Sequence, residues 1–466
     1  MPWFEGGLSN VFSWFSSVFQ TVFPQRGDVY SRASRTVHLS LFVGGAAMLI
    51  ISRSRKNHLQ IFGTPTKDPT NFDYSINRRK ALQALPLPKL VDKEKLKNIK
   101  IVEGYNPNAR GELLFYRCFL PQHKKAQGLL FFVSGYNADS DHLYYVMGVE
   151  LANLGYIMFT FDHYGHGRSD GLWTYIHTFD YLVDDACLMS EFAKQQFGHS
   201  KMDYFLYGSS MGGCYFIHVY IHMNEYTNKL YTYICIYIHY NIYIYVYVYV
   251  IVMLFDFAHM CKNIHLINEK DNNDKASLQR WNGCVLLAPM IAIDPSLYPP
   301  RVVVWLLRYV VKHLVPTFQL PGIGNDLLSV SSRDTEMIKW LRDNPVIYSY
   351  GTRVQTAESL LNACDLISNN LDRVSIPILI LHGEADKVTS YHMSERLYKE
   401  ATSKDKVLKL FKDAYHLLFG DICKDEVYQV CLEWMKERSG HEVFQSESYY
   451  SLTFKEKVQL SKTSQT

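Results

Sequence analysis

The sequence predicts an α/β fold in which a mostly parallel sheet is flanked by helices and carries an inserted helical cap. From Asn98 onward, short apolar runs of strand length alternate with segments of helix length, which is typical of a parallel sheet covered on both faces. The run Gly128 to Val133 is entirely apolar, as in a buried central strand. The apolar stretch from Tyr204 leads directly into Gly-x-Ser-x-Gly. Because ligands bind at the carboxyl ends of strands in such sheets, we expect the site at this edge.

Length and composition exclude several classes of protein. The chain has 466 residues, enough for a large core, and 48 Lys and Arg against 45 Asp and Glu give a formal charge of +3. This balance provides no electrostatic basis for nucleic-acid binding, and no nucleic-acid partner is expected. The nine cysteines are scattered without C-x-x-C pairs or Cys/His clusters, so neither a zinc site nor a disulfide framework is indicated. No metal and no organic cofactor is implied.

Residues 1–60 are predicted to associate with a membrane. Aromatic and aliphatic side chains recur at three- and four-residue spacing between Met1 and Phe23, which indicates an amphipathic helix. Val37 to Ser52 is an apolar or small run flanked by basic residues, and it is shorter than the roughly twenty residues that a spanning helix needs. A membrane anchor, a re-entrant segment, a signal-like segment and a helix docked on its own domain all remain open. Residues 61–97 are interpreted as a linker.

The folded domain is predicted over residues 98–438, and its elements follow from apolar runs bounded by turn residues. Two short alternating runs open it as a hairpin-like pair, and strands then alternate with helices. The predicted strands are Ile99 to Glu103, Glu112 to Leu120, Gly128 to Val133, Tyr156 to Phe161, the run before Ser210, Gly283 to Met290, Ile378 to His382 and Val407 to Phe411. The predicted flanking helices are His142 to Leu154, Phe179 to Phe197, Tyr391 to Thr402 and Asp425 to Arg438.

A helical insertion separates two of these strands, at about residues 294–372. Its first helix, Val302 to Val315, carries basic residues near one side and apolar residues over the remainder. So broad an apolar face must either be covered by another part of the protein or itself cover one. Further helices are predicted at Thr335 to Leu341 and Gln355 to Ser368. The position of the insertion favours a cap over the site, although a peripheral helical subdomain would give the same pattern. Residues 439–466 are rich in polar residues and predict a disordered tail.

An anomalous tyrosine-rich segment, at about residues 219–270, interrupts the connection that should be a single helix. Between Tyr231 and Val252, tyrosine alternates with isoleucine and valine and no charged residue occurs. Such a run is either β-prone and aggregation-prone or a membrane span crowded with tyrosine. A third hypothesis is translation through an unremoved non-coding segment, because repeats of T, A and G codons encode these residues. Sequencing of the spliced transcript across His218 and Lys275 decides this, and an uninterrupted reading of the repeat would reject it.

Three residues at strand ends predict nucleophilic catalysis. Ser210 lies at the centre of the Gly-x-Ser-x-Gly turn, where Gly208 and Gly212 allow a sharp strand-to-helix turn that exposes the hydroxyl. A serine needs a base, and the base needs a carboxylate that orients it. Asp386 and His416 each follow a later strand, so both reach the same edge as Ser210, in the order Ser, Asp, His.

The other histidines are less suited to act as the base. His392 falls within a predicted helix and His441 within the tail, whereas His163, His166 and His382 precede Asp386 and are interpreted as loop-ordering residues. The oxyanion that forms during acyl transfer needs fixed donors. The predicted donors are the main-chain N–H groups of Met211, which follows Ser210, and of Tyr136, in the loop after Val133.

Five motifs together resemble the α/β-hydrolases of the monoacylglycerol lipase and lysophospholipase type, which are grouped with serine aminopeptidase-like (S33) hydrolases. They extend over about Asn98 to Arg438 and occur in the family's order. The motifs are Phe161 to Gly171 (FDHYGHGRSDG), Gly208 to Gly213 (GSSMGG), Val285 to Met290 (VLLAPM), His382 to Asp386 (HGEAD) and Ala414 to His416 (AYH).

The resemblance implies an α/β-hydrolase fold with Ser210 as nucleophile, His416 as base, Asp386 as its orienting carboxylate and a helical cap that admits an acyl chain. Two features depart from the family pattern. Ser134-Gly135 stands where the family has His-Gly, and the tyrosine-rich segment has no counterpart.

The sequence therefore predicts a membrane-associated serine hydrolase that cleaves an acyl ester of a single-chain lipid, a monoacylglycerol or a lysophospholipid. The nearest alternative is a peptidase or a small-ester hydrolase on the same fold. A catalytically silent, membrane-anchored binding protein is the alternative from another class.

Overall fold

The computed structural model describes residues 71–86, 88, 91–141, 143–199, 202–218, 281–292, 304–305, 307–320 and 327–439. The predictions for the N-terminal membrane segment, the tyrosine-rich segment and the tail beyond residue 439 lie outside this part of the chain. Residue 218 and residue 281 are thus the two described residues that flank the tyrosine-rich segment.

The described residues form an eight-stranded sheet in the order β1-β2-β4-β3-β5-β6-β7-β8. β1 and β2 pair antiparallel with each other, β2 pairs antiparallel with β4, and all the remaining neighbours pair parallel. The strands are β1 (Ile99–Pro107), β2 (Leu113–Pro121), β3 (Gly128–Val133), β4 (Tyr156–Phe161), β5 (Asp203–Ser209), β6 (Gly283–Leu287), β7 (Ile378–Gly383) and β8 (Lys406–Phe411). The predicted fold class, a mostly parallel sheet with flanking helices, is confirmed.

Helices cover both faces of the sheet. The described helices are α1 (Ser75–Gln83), α2 (Lys93–Lys97), α3 (Leu143–Asn153), α4 (Phe179–Phe197), α5 (residues 211–218), α6 (Lys312–Leu314), α7 (Thr335–Arg342), α8 (Val354–Ser368), α9 (Tyr391–Glu400) and α10 (Lys424–Glu437). A π-helical turn, Leu307–Val311, precedes α6, and short 3-10 turns lie at Leu327–Val330, Leu371–Arg373 and Leu418–Gly420.

The alternation of side chains along the central strands divides the core in two. Leu129 and Phe131 of β3 pack on the face covered by α4, α5 and α8, whereas Leu130 and Phe132 pack on the face covered by α3 and α10. All four side chains are fully buried, which explains why the strand is apolar throughout and does not alternate with polar residues. Burial of each such side chain contributes roughly 1.5 to 3 kcal/mol.

Helix α1 lies in the range that the sequence assigns to a linker, and it packs on the domain through an arginine. Arg78 is fully buried and donates hydrogen bonds to the carbonyl oxygens of Gly167, Ser169 and Gly171, at 3.0, 2.8 and 2.9 Å. These carbonyls belong to the loop that follows β4, whose backbone groups need partners because the loop is largely buried. The helix therefore stabilises this loop from outside the predicted domain boundary.

The inserted segment contacts the loop that follows β3. The Asn137 side chain donates to the carbonyl oxygen of Tyr348 and accepts from its N–H, both at 2.8 Å. The Asn344 side chain donates to Asp139 at 2.9 Å. The insertion is thus fixed against the sheet edge at which β3 ends.

The first helical part of the insertion turns its basic side inward. Arg308 forms an ion pair with Asp365, and Lys312 forms one with Glu358 at 2.8 Å. Both acids lie on α8. On the same part, the side chains of Trp305, Tyr309 and Leu314 are 55, 64 and 50% exposed. The sequence predicts a broad apolar face here, and these three residues show that part of it faces solvent.

Candidate active site

The turn that carries Ser210 joins β5 to α5 and has the predicted strained geometry. Ser210 has φ +53°, in the left-handed backbone region that residues other than glycine adopt at a cost in free energy. The strain is maintained because the Ser210 N–H donates to Leu287 of β6 at 2.8 Å and the Ser210 carbonyl accepts from Met290 at 3.0 Å. Both ends of the serine's backbone are therefore held by the neighbouring strand and its loop.

The two flanking glycines are required by close approach of the backbone. A Cβ on Gly212 would lie 2.0 Å from the Val133 carbonyl oxygen, and a Cβ on Gly208 would lie 2.6 Å from the Gly212 carbonyl oxygen. Neither position has room for a side chain. The turn, the end of β3 and the start of α5 are consequently packed backbone against backbone.

Asp386 lies in the loop after β7, and its carboxylate is fully occupied by donors. Oδ1 accepts the N–H groups of Val388 and Thr389 at 2.7 and 3.0 Å. Oδ2 accepts from His416 Nδ1 at 2.7 Å. Burial would raise the pKa of the Asp386 carboxyl, but the charge of His416 and the hydrogen bonds from His382 and His416 together hold that pKa below its ordinary value.

His416 lies in the loop after β8, and backbone contacts join this loop to that of Asp386. The Ala385 N–H donates to the Ala414 carbonyl oxygen at 3.1 Å, and a Cβ on Gly383 would lie 2.2 Å from the same oxygen. Because Gly383 permits this approach, the two loops are fixed at a distance that allows the Asp386–His416 hydrogen bond.

The segment after β6 connects Ser210 with the Asp386 loop. The Met290 N–H donates to the Ser210 carbonyl oxygen, and the Ala288 carbonyl lies 3.2 Å from Thr389 Oγ1. Ser210, Asp386 and His416 therefore follow β5, β7 and β8 at one edge of the sheet, as the sequence predicts. Among the three side chains, Asp386 and His416 are joined by a hydrogen bond of 2.7 Å.

The loop after β3, which carries the predicted donor Tyr136, lies directly against Ser210. A Cβ on Gly135 would lie 3.1 Å from Ser210 Cβ and 3.7 Å from Ser210 Oγ. Met211 occupies the first turn of α5, where N–H groups lack partners within the helix and can bind an anion. Both predicted donors thus belong to backbone segments that adjoin the serine.

His163 holds the start of that loop, as expected of a loop-ordering residue. His163 Nε2 lies 3.0 Å from the Ser134 carbonyl oxygen, and Nδ1 lies 3.3 Å from the Tyr215 hydroxyl. Burial lowers the pKa of His163 to about 4, so the ring is neutral and can donate at Nε2 while accepting at Nδ1. Ser134, where the family pattern has histidine, is thus fixed through its main chain by a histidine from the loop after β4.

Three other histidines, His166, His382 and His392, also lie where the sequence places them. His166 Nδ1 lies 3.0 Å from the Tyr164 carbonyl oxygen, within the loop after β4. His392 is on α9, exposed and 3.2 Å from Glu395. His382, at the end of β7, contacts Asp386 directly at 3.1 Å. His441 lies outside the described residues.

Two site residues were not identified from the sequence. Thr389 contacts both oxygens of Asp386, through its N–H and its hydroxyl. Asn137 has φ +60° and binds Tyr348, which is distant in sequence. The sequence contains a hint for Asn137, because asparagine tolerates the left-handed backbone region and here follows Gly-Tyr in a predicted loop. Nothing in the sequence indicates that Tyr348 is its partner.

Comparison with known proteins decides the family. A family model described as serine aminopeptidase, S33, matches residues 124–239 and 270–422, which is more than half of the chain. The protein belongs to this family. The resemblance drawn from the five motifs is therefore confirmed, and the interruption in the match lies within the tyrosine-rich segment.

Relatives of this S33-family protein include proteins named as lipases and esterases. It is 24% identical to caffeoylshikimate esterase from Arabidopsis thaliana over 71% of this chain and 82% of that protein. It is 23% identical to monoglyceride lipase from Homo sapiens over 72% of this chain and 90% of that protein. The solved structure of a soluble variant of monoglyceride lipase from Saccharomyces cerevisiae, in complex with a substrate analog, matches with a TM-score of 0.55 at 16% identity, covering 77% of this chain and all of that one.

Among the helices of the described ranges, none is long and apolar enough to cross a membrane. Within the same ranges, no group of three or more His, Cys, Asp or Glu side chains is placed to hold a metal ion.

Proposed function

We propose that this protein is a serine ester hydrolase that cleaves an acyl ester of a single-chain lipid through an acyl-enzyme. The observation that carries the proposal is the 2.7 Å hydrogen bond from His416 Nδ1 to Asp386, at the edge where Ser210 is held at φ +53°. Because Nδ1 carries the proton that Asp386 accepts, Nε2 of the neutral imidazole is left as the acceptor. A base of this kind can deprotonate a serine hydroxyl.

The reaction would proceed in two steps. Ser210 Oγ attacks the ester carbonyl while His416 takes its proton, and His416 then returns the proton to the leaving alcohol, which leaves an acyl-Ser210 ester. A water activated by His416 hydrolyses this ester and restores the serine. The N–H groups of Met211 and Tyr136 would stabilise the oxyanion in both steps, and each donor of this kind contributes roughly 3 to 4 kcal/mol.

A fluorophosphonate probe tests the nucleophile. The full chain is expected to be labelled, and Ser210→Ala is expected to abolish labelling. Ser209→Ala is the matched control, because Ser209 is the neighbouring serine in the same turn and should retain most of the labelling. Folded protein that is not labelled would favour the catalytically silent binding protein, whereas labelling that survives in Ser210→Ala would mean that another residue is the nucleophile.

The lipid preference is supported by the relatives named monoglyceride lipase and by the exposed apolar side chains of the insertion. The insertion also contacts the loop after β3, which favours a cap over a peripheral subdomain. The small-ester alternative has its own support in the relative named caffeoylshikimate esterase. A panel of monoacylglycerol, lysophospholipid, short p-nitrophenyl esters and aminoacyl peptides separates them. Preference for the soluble substrates would contradict the lipid proposal.

Membrane association through residues 1–60 is the second part of the proposal, and it is supported by their amphipathic and apolar patterning. Deleting Met1 to Arg55 is expected to move the protein from lipid-bound to soluble fractions in a vesicle sedimentation assay. Hydrolysis of a soluble short ester should be preserved, because the deleted residues precede every described contact of the site. A deletion variant that still sediments with vesicles would show that the anchor lies elsewhere.

A further inference from the structure

Asp386 binds a second imidazole besides that of His416. His382, the fifth residue of β7, is fully buried, and its Nε2 lies 3.1 Å from Asp386 Oδ2, the oxygen that also accepts from His416. Its other ring nitrogen, Nδ1, lies 2.7 Å from the Ser394 hydroxyl on α9. Both nitrogens of a buried ring therefore have a partner, one of which belongs to the proposed catalytic machinery.

We propose that His382 is a positioning residue for the reaction. Its Nε2–H donates a hydrogen bond to Asp386 Oδ2 and so limits how strongly this carboxylate stabilises the protonated form of His416. The proposal rests on the proposed function in one respect, since it takes Asp386 and His416 as the orienting carboxylate and the base. It assigns to His382 an effect on the base that exceeds the ordering of a loop.

The neighbours of His382 fix its tautomer. An ionised carboxylate can only accept hydrogen bonds, so the Nε2 that faces Asp386 must carry the proton. Nδ1 is then an acceptor and takes the hydroxyl proton of Ser394, which is itself fully buried. Ser394 thus holds the ring in the one neutral tautomer that can donate to Asp386.

Asp386 Oδ2 is shared by three donors. His416 Nδ1 lies at 2.7 Å, Thr389 Oγ1 at 2.9 Å and His382 Nε2 at 3.1 Å. Each donor withdraws negative charge from the oxygen, so each weakens the attraction that the others feel. Removing the His382 donor leaves more charge facing His416, which stabilises the protonated imidazolium.

The other charged groups nearby have their own partners or face solvent. Glu384 and Lys387, in the same loop as Asp386, are exposed. Asp421, beyond the His416 loop, is buried and paired with Arg333. On α9, His392 is exposed and paired with Glu395. The buried titratable groups that act on Asp386 are therefore the two imidazoles.

Two amide substitutions distinguish the roles of the two ring nitrogens of His382. In His382→Gln the amide nitrogen can take the place of Nε2 and still donate to Asp386. In His382→Asn the shorter side chain can replace only Nδ1, so it retains the contact with Ser394 and does not reach Asp386. The two variants are alike in polarity and differ in the hydrogen bond at issue. His392→Gln on α9 is an exposed control that should match the wild type.

The titration of His416 is the direct measurement, followed by histidine-selective NMR of the full chain and assigned by the signal lost in His416→Gln. We expect the midpoint to rise by about 1 pH unit in His382→Asn and by less than about 0.3 in His382→Gln. The acid limb of kcat/KM for a soluble ester should move upward by the same amount. At the midpoint pH measured for the wild type, less unprotonated His416 is then available in His382→Asn, so labelling at that pH should slow several-fold.

Three results would overturn the proposal. His382→Asn could titrate like the wild type, or both variants could shift equally, which would mean that the hydrogen bond to Asp386 is not the cause. Either variant could fail to show a cooperative melt by circular dichroism, which would assign His382 a packing role. Failure of the proposed function is a separate outcome, because the His416 titration needs no turnover, whereas Ser210 labelling reports on catalysis alone.

Discussion

Replacing Asp386 by asparagine is expected to lower kcat for ester hydrolysis by about 10⁴-fold while the protein remains folded. The substitution changes one oxygen to an NH₂ group and keeps the size and shape of the side chain. The expected loss arises from the protonation state that the new amide imposes on His416.

The structure determines which way the amide of Asp386→Asn would face. Oδ1 accepts two backbone N–H groups, from Val388 and Thr389, and these donors cannot turn away from an NH₂ group. The donors at Oδ2 are two imidazoles and the Thr389 hydroxyl, which can move a proton to the other ring nitrogen or turn to another acceptor. The amide oxygen must therefore occupy the Oδ1 position, and the NH₂ group must face His416 Nδ1. His416 would then accept at Nδ1 and carry its proton at Nε2, where it cannot take a proton from Ser210.

Steady-state hydrolysis of a soluble short ester and the rate of fluorophosphonate labelling both measure this loss. Glu384→Gln is the matched control, because it makes the same carboxylate-to-amide change on an exposed residue of the same loop. It should leave both rates within about twofold of the wild type. A wild-type rate in Asp386→Asn would show that this carboxylate does not orient the base.

The sheet was predictable because strands that are buried on both faces consist mainly of apolar residues. Tyr156–Phe161 and Phe179–Phe197 begin and end where the sequence places them. Every residue of the first is buried, so the run is apolar except for Thr160 and its ends are abrupt. Strand β8 lies at an edge and is half-exposed, and its predicted start, Val407, differs by one residue from the observed Lys406.

Helix α1 was not predicted, and the reason is physical. Its sequence, SINRRKALQ, is polar with two adjacent arginines, and arginine is rarely fully buried. Arg78 is buried because the loop after β4 offers it three carbonyl oxygens, from residues distant in sequence. A single sequence holds no signal for such a contact, since neither partner is unusual in composition.

Part of the candidate site was likewise predictable from the sequence and part was not. The positions of Ser210, Asp386 and His416 follow from strand order, because parallel strands deliver their carboxyl ends to one edge. The contacts that hold their backbone depend on tertiary packing, as with Asn137 and Tyr348. The orientation of the first helix of the insertion also had to be observed, because its two sides could each have faced inward until the acids of α8 were placed.

Replacing Gly212 by alanine is expected to lower the rate of fluorophosphonate labelling by at least about 10²-fold and to destabilise the protein. The new Cβ would lie 2.0 Å from the Val133 carbonyl oxygen and 2.9 Å from the Ser134 carbonyl oxygen, both backbone atoms that no rotamer change can move away. Relief requires α5 and the end of β3 to separate. Met211 belongs to α5 and Tyr136 to the loop that follows β3, so the gap between the proposed oxyanion donors would widen, and loss of one such donor costs about 10² to 10³ in rate.

Comparison with a second glycine separates this effect of Gly212→Ala from the general cost of a glycine substitution. Gly111, in the turn between β1 and β2, has φ +83° and open space around its Cβ position, so Gly111→Ala costs backbone strain of roughly 1 to 2 kcal/mol without a clash. Overpacking at Gly212 should cost about 1 to 3 kcal/mol by thermal or urea unfolding, and a similar stability loss is therefore expected in both variants. Labelling should fall in Gly212→Ala alone. An equal fall in both would mean that reduced stability lowers activity, whereas unchanged labelling in Gly212→Ala would show that the turn can open without moving the donors.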